Sequence, residues 1–442
     1  MKRSRSKAGY EWRLTLAVTG SVAVVFFVLL FLPFAAPAAT LGGEAHTILR
    51  LREAADDRNF SPLYEYLNFG GEDTSGRQGA LTYDFGGWGR VDLGDKRLDN
   101  RTDAVLQHGY IGYRGDKNNL FFQAGRQFVV EGVATERLDG LYLRSDLKAG
   151  FTAAAFVGAP VTTETDFQGG DILYGGRIAH TRPRFYTIGL SALRNDDGSS
   201  HLREEQGLDL WLRPFEMLDI VGRSSRNGIT SGWMEHSYNF LLAPLPIFQI
   251  QAGVSRISYR DYFHHVTTNA LRLATGLIDP REKVLTLGGS VDFGPFNNFS
   301  ISLDYKDYDY ELAGPAKYYG GKATYLLPAG AILAGFSAHR MDGDSDRLQF
   351  AEYRIFASKK IGKADLTADL FEVHYDSPIN GVKNTYAVAA AVAYDIARQW
   401  KAAADIEYGK TVDFDRQVSG LLKLSYYFDV QLGTEGRARS EK

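Results

Sequence analysis

The chain has 442 residues, 44% of them hydrophobic, with 50 lysines and arginines against 53 acids and a net charge of −3. That balance excludes a nucleic-acid-binding protein, which needs a basic footprint. The absence of cysteine excludes disulfides, thiolate zinc, iron–sulfur clusters and haem covalently attached to this chain.

Residues 1–38 read as a secretory signal. Lys2, Arg3, Arg5, Lys7 and Arg13 form a basic lead, Leu14 to Phe34 an apolar run, and Ala36-Pro37-Ala38 a small-x-small cleavage site. Cleavage is expected after Ala38. The run is longer than a usual signal core, so an uncleaved anchor helix is the alternative. No later window holds about eighteen consecutive apolar residues, which excludes further membrane-spanning helices.

Residues 39–77 are left open. Segments 44–53 and 61–69 fit a first hairpin, and equally a periplasmic or lumenal N-terminal segment.

From 78 to 432 the dominant signal is period-two alternation. Trp400, Ala402, Ala404, Ile406 and Tyr408 alternate with Lys401, Ala403, Asp405 and Glu407. That is an apolar face with an aromatic at each end, backed by a charged face, as a lipid-facing strand requires. Leu422, Leu424, Tyr426, Phe428 and Val430 repeat it, as do Phe299, Ile301, Leu303 and Tyr305. Tight turns such as Gly115–Asn118, Asp146–Ala149, Arg213–Glu216 and Lys360–Lys363 alternate with longer polar segments. The longer set includes Gly94–Asp103, Val130–Thr135, Pro160–Gly170, Asn227–Thr230, Tyr259–Glu282 and Asp376–Lys383. The expected fold is therefore all-β: a transmembrane antiparallel β-barrel with short periplasmic turns and longer external loops. The count is about twenty strands, or twenty-two with the N-terminal hairpin. Residues 433–442 form a polar tail beyond the last strand. Gly (47), Tyr (25) and Phe (27) are abundant and Pro (13) scarce, which suits such a barrel.

No catalytic constellation is present: G-x-S-x-G, a P-loop and H-E-x-x-H are all absent, so the chain is not expected to be an enzyme. His264-His265 and the run Asp196-Asp197-Gly-Ser199-Ser200-His201 read as solvated loop residues. Arg114-Gly115-Asp116 reads as turn chemistry. The chemistry expected is that of a pore. Lumen or selectivity candidates are Arg126, Glu131, Arg137 and Asp139 around Gly125-Arg126-Gln127, and Asp395, Lys401, Asp405 and Glu407 near the C-terminus. The competing reading of the first group is a set of wall-stiffening salt bridges. Trp400, Tyr408, Tyr386 and Tyr394 are girdle candidates. On Tyr386–Ile396 the face opposite the aromatics carries Ala387, Ala389, Ala391 and Ala393, a smooth wall that leaves room inside. Only Tyr259–Glu282, with a short helix expected at Asn269–Gly276, and residues 39–77 are long enough to fill such a lumen in part.

The run Gly43-Glu-Ala-His-Thr-Ile-Leu-Arg-Leu-Arg-Glu53, with Ser61-Pro-Leu-Tyr-Glu-Tyr-Leu67, Gly86-Gly-Trp-Gly-Arg90 and Ala124-Gly-Arg-Gln127, resembles porin-like outer-membrane proteins of metal-reducing deltaproteobacteria. These include the barrel subunits of porin–cytochrome conduits. The resemblance spans roughly residues 40–430. It implies a barrel that sheathes a multihaem c-type cytochrome and lets electrons reach extracellular acceptors, with the haem on that partner and no cofactor in this chain. This sequence departs from the better-known conduit barrel in lacking cysteine and in its shorter barrel. Two expectations stand: a passive outer-membrane channel for small polar solutes or ions, and the sheath of an electron conduit. The bilayer is a partner under both.

Overall fold

The computed structural model describes residues 39–53, 59–73, 79–94, 102–161, 171–197, 200–263, 283–296, 298–312, 314–327 and 332–432. The expected signal segment 1–38 and the tail 433–442 lie outside these residues.

Twenty-two antiparallel strands make one sheet closed on itself. They are β1 (Ala39–Glu53), β2 (Pro62–Asp73, preceded by the piece Asn59–Phe60), β3 (Gly79–Asp92), β4 (Thr102–Gly115), β5 (Leu120–Glu131), β6 (Ala134–Asp146), β7 (Phe151–Pro160) and β8 (Asp171–Arg182). Then follow β9 (Tyr186–Asp197), β10 (Ser200–Phe215), β11 (Leu218–Asn227), β12 (Trp233–Leu245), β13 (Phe248–Ser258), β14 (Lys283–Phe296) and β15 (Phe299–Tyr310). The last are β16 (Gly314–Leu327), β17 (Ile332–Gly343), β18 (Phe350–Ile361), β19 (Ala364–Ile379), β20 (Val382–Ala397), β21 (Trp400–Lys410) and β22 (Gln417–Leu432).

The N-terminal hairpin that the sequence leaves open belongs to the wall, which raises the count from about twenty to twenty-two. β1 pairs with β2 on one side and with β22 on the other, from Ala39↔Leu432 to Arg52↔Ser419. Without it β3 and β22 would both be open edges, each with a row of unpaired backbone groups. In a bilayer those groups have no water to bind. The registers drift by about 24 residues around the ring, which tilts 22 strands by roughly 40°.

Connections fall into two sets at opposite ends. One end holds the tight turns, where Asn118, Ala149, Arg184 and Asn298 take positive φ, together with Ala39 and Leu432. The other end holds the longer connections, among them the short helix α1 (Tyr259–Tyr262) after β13. Two expected loops are hairpins instead. Val130–Thr135 reduces to a turn at Gly132-Val133, and Asp376–Lys383 to one at Asn380-Gly381, with the flanking strands running up to them. Asn227 shapes the connection after β11, its side-chain oxygen accepting from the backbone of Ile229 and Thr230 at 2.9 and 3.1 Å. His264-His265 and the helix expected at Asn269–Gly276 lie outside the described residues.

Alternation sorts the side chains. Ile178, Leu190, Leu303, Ile406 and Leu422 stand on the outer face and are half or more exposed. Lys306, His339, Arg354 and Asp369 stand on the inner one. Trp400 and Tyr394 lie outward near the tight turns, with Trp400 4.7 Å from Tyr426 between ring centroids; Tyr386 and Tyr408, 6.0 Å apart, lie outward near the loop end. Tyr238, Tyr305, Tyr319 and Tyr353 continue that upper row on other strands.

Candidate functional site

A barrel wall needs every strand paired on both sides, and among the described residues this rule is broken at the β5–β6 hairpin. The β5–β6 ladder runs unbroken from Leu120↔Ser145 to Glu131↔Ala134. Yet β4 pairs with β5 only from Gly109↔Arg126 to Arg114↔Phe121, and β6 with β7 only from Leu138↔Pro160 to Asp146↔Thr152. Among the described residues, 127–137 therefore form a hairpin that pairs with neither β4 nor β7, apart from the Val161 N–H donating to the Arg137 carbonyl at 2.9 Å.

The departure point is built for it. Gly125 has φ +126°, where a side chain is strained, and a Cβ there would lie 2.3 Å from the Gly109 carbonyl oxygen. Arg126 then closes the seam. Its Nη1 donates to the Leu106 carbonyl at 3.0 Å, and its Nε and Nη2 donate to the two carboxylate oxygens of Asp139, each at 2.7 Å. Leu106 pairs with β3 alone, so the arginine satisfies a carbonyl that the splayed strands leave free.

The hairpin packs on side chains of the inner wall. Val129, Ala134 and Leu138 meet Phe156 of β7, Leu173 of β8 and Leu193 of β9, all essentially buried. The Val133 N–H donates to Ser191 Oγ at 3.0 Å. Gly132 and Gly207 allow the close approach: a Cβ on Gly132 would lie 2.1 Å from Ser191 Oγ, and one on Gly207 2.2 Å from Val133. Charges fasten the edges. Arg203 of β10 donates to Glu136 and also clasps Glu205, with Nη2 2.9 Å from Oε2. Tyr142 Oη donates to Glu131 at 2.6 Å. Arg177, clamped on Asp209, brings Nη1 to 3.8 Å from Glu131. Ser191, Arg177, Arg203 and Asp209 all lie on the face opposite the outward Ile188, Ile178, Leu190 and Leu208. The hairpin is thus folded into the lumen. A cavity of about 360 Å³ remains beneath its tip, lined by Glu136, Arg203, Glu205, Asp209, Arg223 and Glu235 among others.

The other face of the hairpin looks away from the wall. It carries Phe128 and Val130, 58% and 63% exposed, and Arg137, in register with Phe128. Opposite runs a second polar network. His339 Nε2 lies 2.9 Å from Asp304, its ring stacks on Tyr318 at 5.0 Å, and Tyr318 Oη donates to Glu352 at 2.5 Å. Arg354 donates to Asp369 at 2.9 Å.

The candidates read from the sequence separate accordingly. Arg126, Glu131 and Asp139 lie at the hairpin, consumed by its own ion pairs and hydrogen bonds. Arg137 is on the same hairpin with no ion pair among the described residues. Lys401 and Asp395 face one another at 3.6 Å beside the β20–β21 turn, remote from it. Asp405 and Glu407 line β21 opposite Ala391 and Ala389. The alanine column is real but not smooth around its edges, since Asp369 and Phe371 of β19 flank it on the other side. Asp196, at the polar loop, is paired with Arg194 at 3.0 Å. No group of three or more His, Asp or Glu suited to a metal occurs among the described residues. The inward fold itself was missed. Its trace in the sequence is Phe128-Val129-Val130, where apolar side chains appear on both faces and alternation fails.

No protein-family model and no curated protein matches the chain. Solved structures do. The E. coli P pilus tip assembly intermediate PapC-PapD-PapK-PapG aligns at TM-score 0.54 and 10% identity, over 92% of this chain and 63% of that one. OccAB4 of Acinetobacter baumannii aligns at 0.47 and 10%, over 89% and 98%, and OprD of Pseudomonas aeruginosa at 0.41 and 10%, over 89% and 94%. The likeness is one of fold. This chain has the architecture of outer-membrane β-barrels.

Proposed function

We propose that the chain is an outer-membrane channel for small polar solutes or ions, narrowed from within by the β5–β6 hairpin. The observation that carries this reading is the hairpin itself, held against the inner wall by an apolar cluster and by the Arg203–Glu136 pair. A wall with charged side chains along its inner face and a fixed internal constriction suits selective diffusion. Under this reading the tight-turn end is periplasmic, the loop end external, and the outer apolar face meets lipid between its aromatic rows. Arg137 is the hairpin charge left free to act on passing ions.

The alternative, a sheath around a multihaem cytochrome, rests on the family resemblance and on the alanine column of β20. Both are compatible with an open pore, and the hairpin occupies space that a partner would need. Purification from the native outer membrane, followed by a haem absorption spectrum and planar-bilayer recording, separates the two. A colourless barrel that conducts ions is the expected result. A stoichiometric haem signal that survives a salt wash would overturn it.

A further inference from the structure

The outward-facing side chains at the loop end carry a pattern that a channel does not use. Most cations there are matched by an acid on the same face. Arg194 has Asp196 at 3.0 Å, Lys283 has Glu311 at 3.0 Å, Lys410 has Asp415 at 3.3 Å, and Arg340 is clamped on Asp376. Lys317 stands in register between Asp307 and Asp342.

Arg226 of β11 and Arg256 of β13 break the rule. Both are exposed, and neither has an ion pair among the described residues. The register neighbours of Arg226 are Gln206 and Trp233; those of Arg256 are His236 and Leu285. The nearest outward carboxylate on β10, Glu204, is in register with Arg194 and lies against Gly228, with no ion pair to Arg226 among the described residues. Between the two arginines lies β12, whose outward His236 is held by Ser224 Oγ on its Nδ1 at 2.8 Å, the same hydroxyl touching Tyr238 Oη at 2.6 Å. His236 Nε2 has no hydrogen-bond partner among the described residues. Trp233, 56% exposed, lies 4.7 Å from the imidazole. Two strand spacings and a two-residue offset put the arginine Cα atoms about 12 Å apart, close enough for both side chains to reach one anion. Just below them the outer face turns apolar, with Val254, Ile250, Phe240, Leu210 and Ile220.

Two unmatched guanidinium groups, a fixed imidazole N and a tryptophan, set immediately above an apolar band, make a corner suited to a phosphate that also carries acyl chains. We propose that this patch binds the phosphate of an outer-leaflet lipid. The assignment to the outer leaflet rests on the channel reading, which makes the loop end external.

The test uses native mass spectrometry of the intact barrel in neutral detergent with added diphosphoryl lipid A. The wild type is expected to retain one lipid through mild activation. R226Q/R256Q should retain about tenfold less, and R340Q, whose arginine has its own acid, should match the wild type. Heat-modified gel migration verifies folding of each variant; if the double variant fails it, the single substitutions R226Q and R256Q must each weaken retention. Equal retention by the folded variants overturns the proposal. So does displacement of the lipid by millimolar inorganic phosphate, which would assign the patch to free anions. Preferential retention of phosphatidylglycerol over lipid A would overturn the outer-leaflet assignment. Bilayer conductance of the same samples is expected to be unchanged, so loss of the lipid is told apart from failure of the channel.

Discussion

Arg203 reaches across the lumen face of the wall to Glu136 on the inserted hairpin, joining residues 67 apart in sequence and four strands apart in the sheet. The same guanidinium holds Glu205, which is 2% exposed. One side chain thus bridges two shielded carboxylates and fixes the position of the constriction.

Replacing Arg203 with Gln takes the guanidinium away from Glu136, a loss of roughly 3–5 kcal/mol where a buried pair is broken. The hairpin is expected to undock. Single-channel recordings should show a larger and noisier conductance; an unaltered trace would mean that the pair does not hold the constriction.

The apolar clasp should matter as much. Leu138→Ala removes a fully buried side chain between the hairpin and Phe156, Leu173 and Leu193, a change that costs about 2–5 kcal/mol in packed cores. Hydrogen exchange of the amides at 127–137 should rise while the β17–β22 wall stays protected. Uniform protection in both regions would contradict the packing described.

Gly125→Val tests the bend. The φ of +126° and the 2.3 Å approach to the Gly109 carbonyl leave no room for a branched side chain, and strain of this kind costs on the order of 1–3 kcal/mol before the clash is counted. The expected product is a folded barrel with a displaced hairpin, visible as new protease cleavage near residues 130–135.

Arg137→Glu reverses the hairpin charge that has no ion pair among the described residues. The reversal potential in a salt gradient should move toward greater cation preference. The effect should be larger at 0.1 M than at 1 M salt, because the Debye length falls from about 10 Å to about 3 Å. A reversal potential that does not move would remove Arg137 from the conduction path.

The absence of cysteine makes a cross-link simple to interpret. V133C/S191C puts thiols on two residues whose backbone N–H and hydroxyl meet at 3.0 Å and whose side chains both lie against Gly207. Oxidation should lock the hairpin, lowering conductance noise in a way that reductant reverses. Failure to cross-link would place the tip elsewhere.

Much of this barrel is legible from residue order. Strands such as Trp400–Lys410 and Gln417–Leu432 declare themselves because a wall between lipid and water forces opposite chemistry onto successive residues. The hairpin at 39–73 is less legible. Gly42-Gly43 and Gly70-Gly71 dilute its alternation, and Glu65 sits on the outward parity, hydrogen-bonded by Thr47 at 2.7 Å. Its place in the wall follows from closure, which no local window contains.

The sequence by itself determined the strand class, the two kinds of connection and the faces of most strands, since each is written in neighbours within ten or so residues. Only the tertiary structure decided that residues 127–137 leave the wall. Glu131 and Arg126 read alike as lumen charges, and nothing local distinguishes a charge facing water from one spent, as theirs and that of Glu136 are, on Tyr142, Asp139 or Arg203. Their partners lie as far as 67 residues away, and the curvature of the closed sheet is what brings them together.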